Sequence, residues 1–307
     1  MSCCKGTIMN SGTTKSVVTS PTVTAYLWPR YGADANLNCI KKTDFVDGVL
    51  PQAFIDALIN APNYEDRLYP LPEFKNVTNE RAESVKQSFD DGSSAKIRDG
   101  IRNFSAFLPQ APASYLDVFA PANCGEMAII LVGECGEITG YTPDKGSTFY
   151  PLPISKGSMD AIYQWATNAS VSGNNVAFEF SRLFTDSQIS VITAEGTAFD
   201  ALGLRGLFDV VGSGSSIATA STLLYLVNYG MDFDVDMFLS TLVDGDIVIK
   251  NETQGDAVVT IDSFDLTNAA EGVYVLAHAA GVVSTDILRF ESIKAGYVIP
   301  DFKTITA

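Results

Sequence analysis

At 307 residues and 46% hydrophobic content, the chain is long enough for two domains with sizeable cores and too apolar for wholesale disorder. Acidic residues outnumber basic ones 36 to 20, and a net charge of −16 excludes a surface built to grip nucleic acid or anionic membranes. The charge is uneven: residues 1–195 hold 15 Lys and Arg against 21 Asp and Glu, whereas residues 196–307 hold 5 against 15. That asymmetry predicts two domains, 1–205 and 206–307, the second strongly acidic. No run approaches the roughly 18 apolar residues of a membrane span. The opening MSCCKGTIMNSGTTKS has no apolar stretch of a signal peptide, so the expectation is a cytoplasmic product. Five cysteines without C-x-x-C spacing signal neither a zinc ribbon nor a disulfide framework.

In chain order, residues 1–24 read as a Ser/Thr-rich arm that can end in a strand. From Ala25 to about residue 80 the pattern is irregular, a long aromatic loop holding one helix over Pro51–Asn60 with Phe54, Ile55, Leu58 and Ile59 on its apolar face. Arg81–Pro109 reads as a β-hairpin. Val85 and Phe89 alternate with polar neighbours on the first arm, and Asp90-Asp91-Gly92-Ser93-Ser94 supplies the turn. A longer second arm carries Ile97, Ile101, Phe104 and Phe107. Pro112–Phe119 predicts a short helix, Met127–Val132 a buried strand returning through Glu134–Glu137 into Ile138–Tyr141, and Phe149–Ile154 an extended segment. Met159–Thr167 fits a helical turn or a strand, and Val176–Phe184 alternates as a half-buried strand.

Beyond Leu204, Leu223–Val227, Ile247–Lys250, Ala257–Phe264, Val273–Ala277 and Ile287–Ser292 are short strands at the spacing of a small all-β sandwich. Gly212-Ser213-Gly214-Ser215-Ser216 reads as a flexible seam, either a linker or a loop. The fold class expected is mainly β: a β-sandwich or half-barrel with a short helix, then a second β-sandwich.

Motifs for chemistry fail one by one. The single histidine, His278, has no nucleophile turn to serve and no second histidine to share a metal with. Asp232, Asp234 and Asp236 open like a calcium loop, but Met237 stands where glycine is needed and Val243 where a bidentate glutamate is needed. Phe233, Val235 and Met237 alternate with them, which fits a strand with an acidic outer face. Glu134 and Glu137 read as solvated turn residues. The sequence therefore predicts no enzyme, no metal and no cofactor.

Four segments carry a resemblance: AKIRDGIRNFSAFLP, PASYLDVFAPANCGEM, GEITGYTPDKGSTFYPLPI and VAFEFSRLF. In order and kind they resemble the major tail (tube) proteins of long-tailed bacteriophages. DGDIVIKNETQGDAVVTIDSFDLTNAAEGVYVLA is similar to the Ig-like modules appended to such virion proteins. The resemblance implies a virion structural protein, made in the host cytoplasm, that forms a homo-oligomer. In that family the rings are usually hexameric and stack into a tube with other tail proteins, and DNA passes the lumen without specific binding. It implies that the hairpin joins subunits, with Val85, Phe89, Ile97, Ile101 and Phe104 as interface candidates and Asp90, Asp91 and Gly92 at the turn. It also implies a separable, outward-facing C-terminal domain. The alternative is a capsid decoration or head-tail connector protein whose Ig-like domain touches host surfaces.

Overall fold

The computed structural model describes residues 20–111, 113–116, 119–120, 125–143, 146–227, 239, 241–265, 272–278, 281–294 and 297–306. The aspartate row at 232, 234 and 236 lies outside them. The chain is mainly β and divides into two compact units, 1–206 and 207–307.

The strands of the first unit are β1 (Thr22–Pro29), β2 (Ile40–Lys41), β3 (Tyr69–Pro70), β4 (Lys75–Arg81), β5 (Val85–Ser88), β6 (Ser94–Arg98), β7 (Arg102–Pro109), β8 (Met127–Gly133), β9 (Ile138–Tyr141), β10 (Thr148–Phe149), β11 (Leu152–Pro153), β12 (Asp160–Gln164), β13 (Gly173–Glu179) and β14 (Ile189–Ile192), with one helix α1 (Gln52–Ile59). One sheet runs β14-β9-β8-β1-β3, with β11 also on β8; the other runs β12-β13-β7-β4. Their facing sides share a core. Ala25, Leu27, Ile129 and Leu131 come from the first sheet, and Phe104, Ala106, Leu108, Val176 and Phe178 from the second.

β1 is the main correction to the irregular stretch expected from residue 25 onward. It pairs antiparallel with β8 from Thr22↔Gly133 to Pro29↔Met127 and with β3 on its other edge. Ala25, Tyr26, Leu27 and Trp28 are all buried. Alternation is missing from the sequence because both faces are covered. Tyr26 donates its hydroxyl to the Ala201 carbonyl, and Trp28 Nε1 donates to the Asp66 carbonyl at 3.1 Å, both away from the shared core. Residues 25–80 thus hold β1, β2, α1, β3 and β4 rather than one long loop.

Smaller differences follow the same physics. Of the two alternatives for Met159–Thr167 the strand is found, as β12 over Asp160–Gln164. The Val176–Phe184 alternation outruns its strand, which is Gly173–Glu179, although Phe180 and Phe184 still pack with the core. Ala113–Tyr115 forms a 3-10 turn inside the expected helix. Glu137 is buried, not solvated: the backbone N–H and the hydroxyl of Ser20 both donate to its Oε1.

The second unit comprises β15 (Phe208–Ile217), β16 (Ala220–Val227), β17 (Ile247–Asn251), β18 (Ala257–Val259), β19 (Ile261–Asp265), β20 (Val273–His278), β21 (Ile287–Ser292), β22 (Tyr297–Val298) and β23 (Phe302–Ile305). Sheet β19-β20-β16-β15-β22 faces sheet β18-β17-β21-β23. The first, second, fifth and sixth strands lie in one sheet, and the third, fourth, seventh and last in the other. That is the order of an immunoglobulin-like sandwich. Tyr225, Tyr274, Leu276, Ile249, Leu288 and Phe290 fill the space between.

The expected seam at Gly212–Ser216 is instead the middle of β15, paired residue for residue with β16. Its glycines are there because side chains would not fit. A Cβ on Gly212 would lie 2.4 Å from the Phe302 ring, and one on Gly214 would lie 2.6 Å from the Thr222 carbonyl oxygen. Ala257–Phe264 is likewise two strands, since the chain changes sheets between β18 and β19.

Candidate assembly surface

The hairpin at Arg81–Pro109 is longer and less uniform than its sequence suggests. Its base is β4 against β7, from Lys75↔Phe107 to Arg81↔Arg102, and its tip is β5 against β6, from Val85↔Arg98 to Ser88↔Ser94. Between them Ala82 N–H donates to the Ile101 carbonyl at 2.8 Å, so one ribbon continues through both. At the turn, Gly92 has φ +83°, the conformation glycine adopts most easily. Gly92 N–H donates to the Phe89 carbonyl at 3.0 Å and Phe89 N–H to the Ser93 carbonyl at 2.9 Å. The Ser93 hydroxyl and N–H both donate to Asp91, holding its carboxyl below the usual carboxylate range. The Asp90-Asp91-Gly92 turn is therefore built from local hydrogen bonds alone.

The base lies in a sheet of four strands. On β7, Phe104, Ala106 and Leu108 point into the core and Asn103, Ser105 and Phe107 point out. Phe104 is 1% exposed and stacks on Phe178 with ring centroids 4.8 Å apart. Phe104 therefore belongs to the protomer's own core and is withdrawn from the interface candidates. Alternation on the second arm identified a buried face correctly but could not say what covers it. Ile101 is half-buried at the junction.

The tip has no such cover. Every residue of β5 and β6 is exposed, and among the described residues these two strands pair only with each other. Val85 is 40% exposed, Phe89 46% and Ile97 60%. Val85, Gln87 and Phe89 share a face by alternation, with Ala95 opposite Gln87; Lys86 and Lys96 oppose one another on the reverse face. Charges on the tip nearly balance: Glu83, Asp90, Asp91 and Asp99 against Lys86, Lys96 and Arg98. The register slips by one residue between Val85 and Lys86, a bulge that twists the edge.

Two features hold the junction. Arg81 and Arg102 oppose each other across the ladder, an arrangement that is repulsive by itself. Asp186 accepts from both, at 3.2 Å for Arg102, and Arg81 also lies 3.7 Å from Asp99. Gly100 supplies the closest backbone approach, for a Cβ there would fall 1.7 Å from the Ala82 carbonyl oxygen.

Elsewhere, Ser221 Oγ lies 2.8 Å from His278 Nε2, the spacing of a nucleophile and its base. Here both are buried, at 1% and 6% exposure, in a hydrogen-bonded chain running Thr304–Ser216–Ser221–His278 between the two sheets. His278 Nδ1 meets no hydrogen-bond partner among the described residues, and burial holds the imidazole pKa below its ordinary value. Spacing along the sequence could not reveal this chain, because each member comes from a different strand. Among the described residues no group of three or more His, Cys, Asp or Glu is placed to hold a metal ion, and no helix is long and apolar enough to cross a membrane.

Compared with known proteins, the chain matches no family model, no curated protein and no solved structure.

Proposed function

We propose that this protein is a structural subunit that assembles with copies of itself through the hairpin tip, as a tail tube protein of a long-tailed bacteriophage does. The observation that carries the reading is the uncovered tip. A two-stranded ribbon alone in water is marginal at best, and its open edges and exposed Val85, Phe89 and Ile97 call for neighbouring strands. Joined side by side in a closed ring, such ribbons satisfy one another's edges, and closure leaves none free. The nearly balanced tip charges let copies approach although the whole chain is strongly negative.

The channel of such a tube must let DNA pass without holding it. The outward positions of β7, β12 and β13 suit that wall. They carry Asn103, Ser105, Phe107, Asp160, Ile162, Gln164, Asn175, Ala177 and Glu179, with no Lys or Arg to take up phosphate; on the edge strand β4 of the same sheet, Lys75 lies opposite Phe107 and is paired with Glu73. Rings, stacked into a tube, are the assembly this reading requires.

The test is electron microscopy and sedimentation of purified protein beside a variant with Val85, Phe89 and Ile97 all changed to serine. The parent is expected to form rings or filaments and the variant to remain small and folded. Rings of unaltered size from the serine variant would remove the tip from the assembly.

A further inference from the structure

Most of the space between the two sheets of the second unit is filled by rings and branched side chains, Tyr225, Tyr274, Leu276, Leu288 and Phe290 among them. Where β15 turns into β16 the filling is different. Ser216, Ser221, His278 and Thr304 are all buried there. Their hydrogen bonds run from β20 through β16 and β15 to β23, so at this end the sheets are tied by polar groups. His278 also fixes the end of β20, its N–H donating to the Thr219 carbonyl at 2.9 Å. It is the chain's one histidine.

The state of the ring follows from its surroundings. Nδ1 has no hydrogen-bond partner among the described residues. A bare lone pair is tolerated inside a protein more easily than an N–H without an acceptor. The favoured tautomer therefore carries its proton on Nε2, which donates to Ser221 Oγ at 2.8 Å. A second proton, on Nδ1, would place a charge and a donor where nothing accepts them. β16, β15 and β23 bring only the hydroxyls of Ser221, Ser216 and Thr304 to this chain. The charge that acts on the ring is Asp262, from β19. Register on β19 slips between Ile261, opposite His278, and Ser263, opposite Ala277. Asp262 is the extra residue of that bulge, exposed at the edge of the sheet.

We infer that His278 is an acid-operated latch of the second unit: on taking a second proton its ring leaves the space between the sheets, turns to Asp262 at the edge, and releases the end of β20 with the hydroxyl chain that ties the sheets. The direction with pH can be worked out. Burial holds the imidazole below its ordinary pKa, and Asp262 pulls the other way. As pH falls below about 6.5, the ordinary histidine value, the open chain takes the proton before the closed one. The closed form is fully favoured above that value and loses stability as pH drops through the window beneath it. Neighbouring carboxylates titrate lower. Lys303 and Lys250 hold Glu252 and Glu291 below the usual carboxylate range, and the Val283 N–H and Asn251 do the same for Asp286.

Hydrogen exchange read by mass spectrometry on the full-length protein, corrected for the intrinsic rate at each pH, tests the latch on free chains and assemblies alike. Between about pH 7.5 and about pH 5.5, protection in 219–227 and 273–278 should fall several-fold. The ceiling is about tenfold, set by one pH unit below the ordinary histidine pKa. Strand β8 of the first unit should not respond. Asp262→Asn should move the loss to lower pH, and His278→Gln, which can still donate but gains no proton, should abolish it. Protection independent of pH in the parent would overturn the inference. So would an equal loss in His278→Gln, an unshifted loss in Asp262→Asn, or a matching loss in β8. Should His278→Gln fail to fold, the parent and Asp262→Asn decide the matter alone.

Discussion

The base and the tip of one hairpin obey different physics. Both are antiparallel ribbons of similar composition, continuous through the Ala82–Ile101 hydrogen bond. In the base, alternate residues of β7 enter a core of stacked aromatics, so register is fixed by burial: a slip of one residue would put Phe104 into water and Ser105 into the core. In the tip no face is buried, so register rests on the turn and the bulge. The base belongs to the folding of the protomer. The tip adds exposed apolar surface and open edges, and on these the proposed assembly contact rests.

Four substitutions sharpen or break this contrast. The largest effect is expected for Phe104→Ala, which removes a ring packed against Phe74, Phe178 and Phe180. Aromatic truncations of this kind cost about 3–5 kcal/mol, readable as a lower midpoint in urea; a loss below 1 kcal/mol would mean that the base is not held by its core. Gly100→Ala comes next. The added methyl meets backbone, not a movable side chain, so the junction must shift at a cost of about 1–3 kcal/mol. Hydrogen exchange should then show faster opening at Ala82 while the core amides stay protected.

Asp186→Ala leaves Arg81 and Arg102 opposed without their shared partner. All three are partly exposed, so the expected loss is under about 1 kcal/mol. It should change with added salt, because salt screens both the lost attraction and the exposed repulsion. An effect insensitive to salt would assign Asp186 another role. The smallest effect on stability belongs to Ile97→Ser, within about 0.5 kcal/mol as for most surface changes, although assembly should weaken. If Ile97→Ser lowered Tm as far as Phe104→Ala does, the tip would be part of the protomer core and the contrast would collapse.

Much of this was legible in the sequence where one face of an element is wet. The mainly-β class, the helix at Gln52–Ile59, the buried run of β8 and the Asp-Gly turn of the hairpin all carry local signals. What stayed hidden has common causes. β1 is buried on both faces, so its residues do not alternate. β15 carries glycines because Phe302 and the β16 backbone crowd it, and in sequence that spacing looks like a linker. Phe104 follows the same alternation as the exposed tip residues, and only its partners on β13 and β4 separate it from them. Glu137 and the Ser221–His278 pair depend on contacts from residues 57 or more positions away, which no local pattern encodes.

The way the second unit closes has a mechanical consequence. Its first strand, β15, runs parallel to β22 at Phe208↔Tyr297 and Asp209↔Val298, and parallel again at the Ser216↔Thr306 bridge near the end of the chain. Drawing the two ends of the unit apart pulls these segments in opposite directions along their length. Their hydrogen bonds are then loaded together in shear, where an antiparallel pair joined at one end would peel open bond by bond. The Tyr225–Ser292 hydrogen bond, 2.8 Å long, ties β16 to β21 behind this clamp. A domain closed in this manner resists tension between its ends without any covalent cross-link.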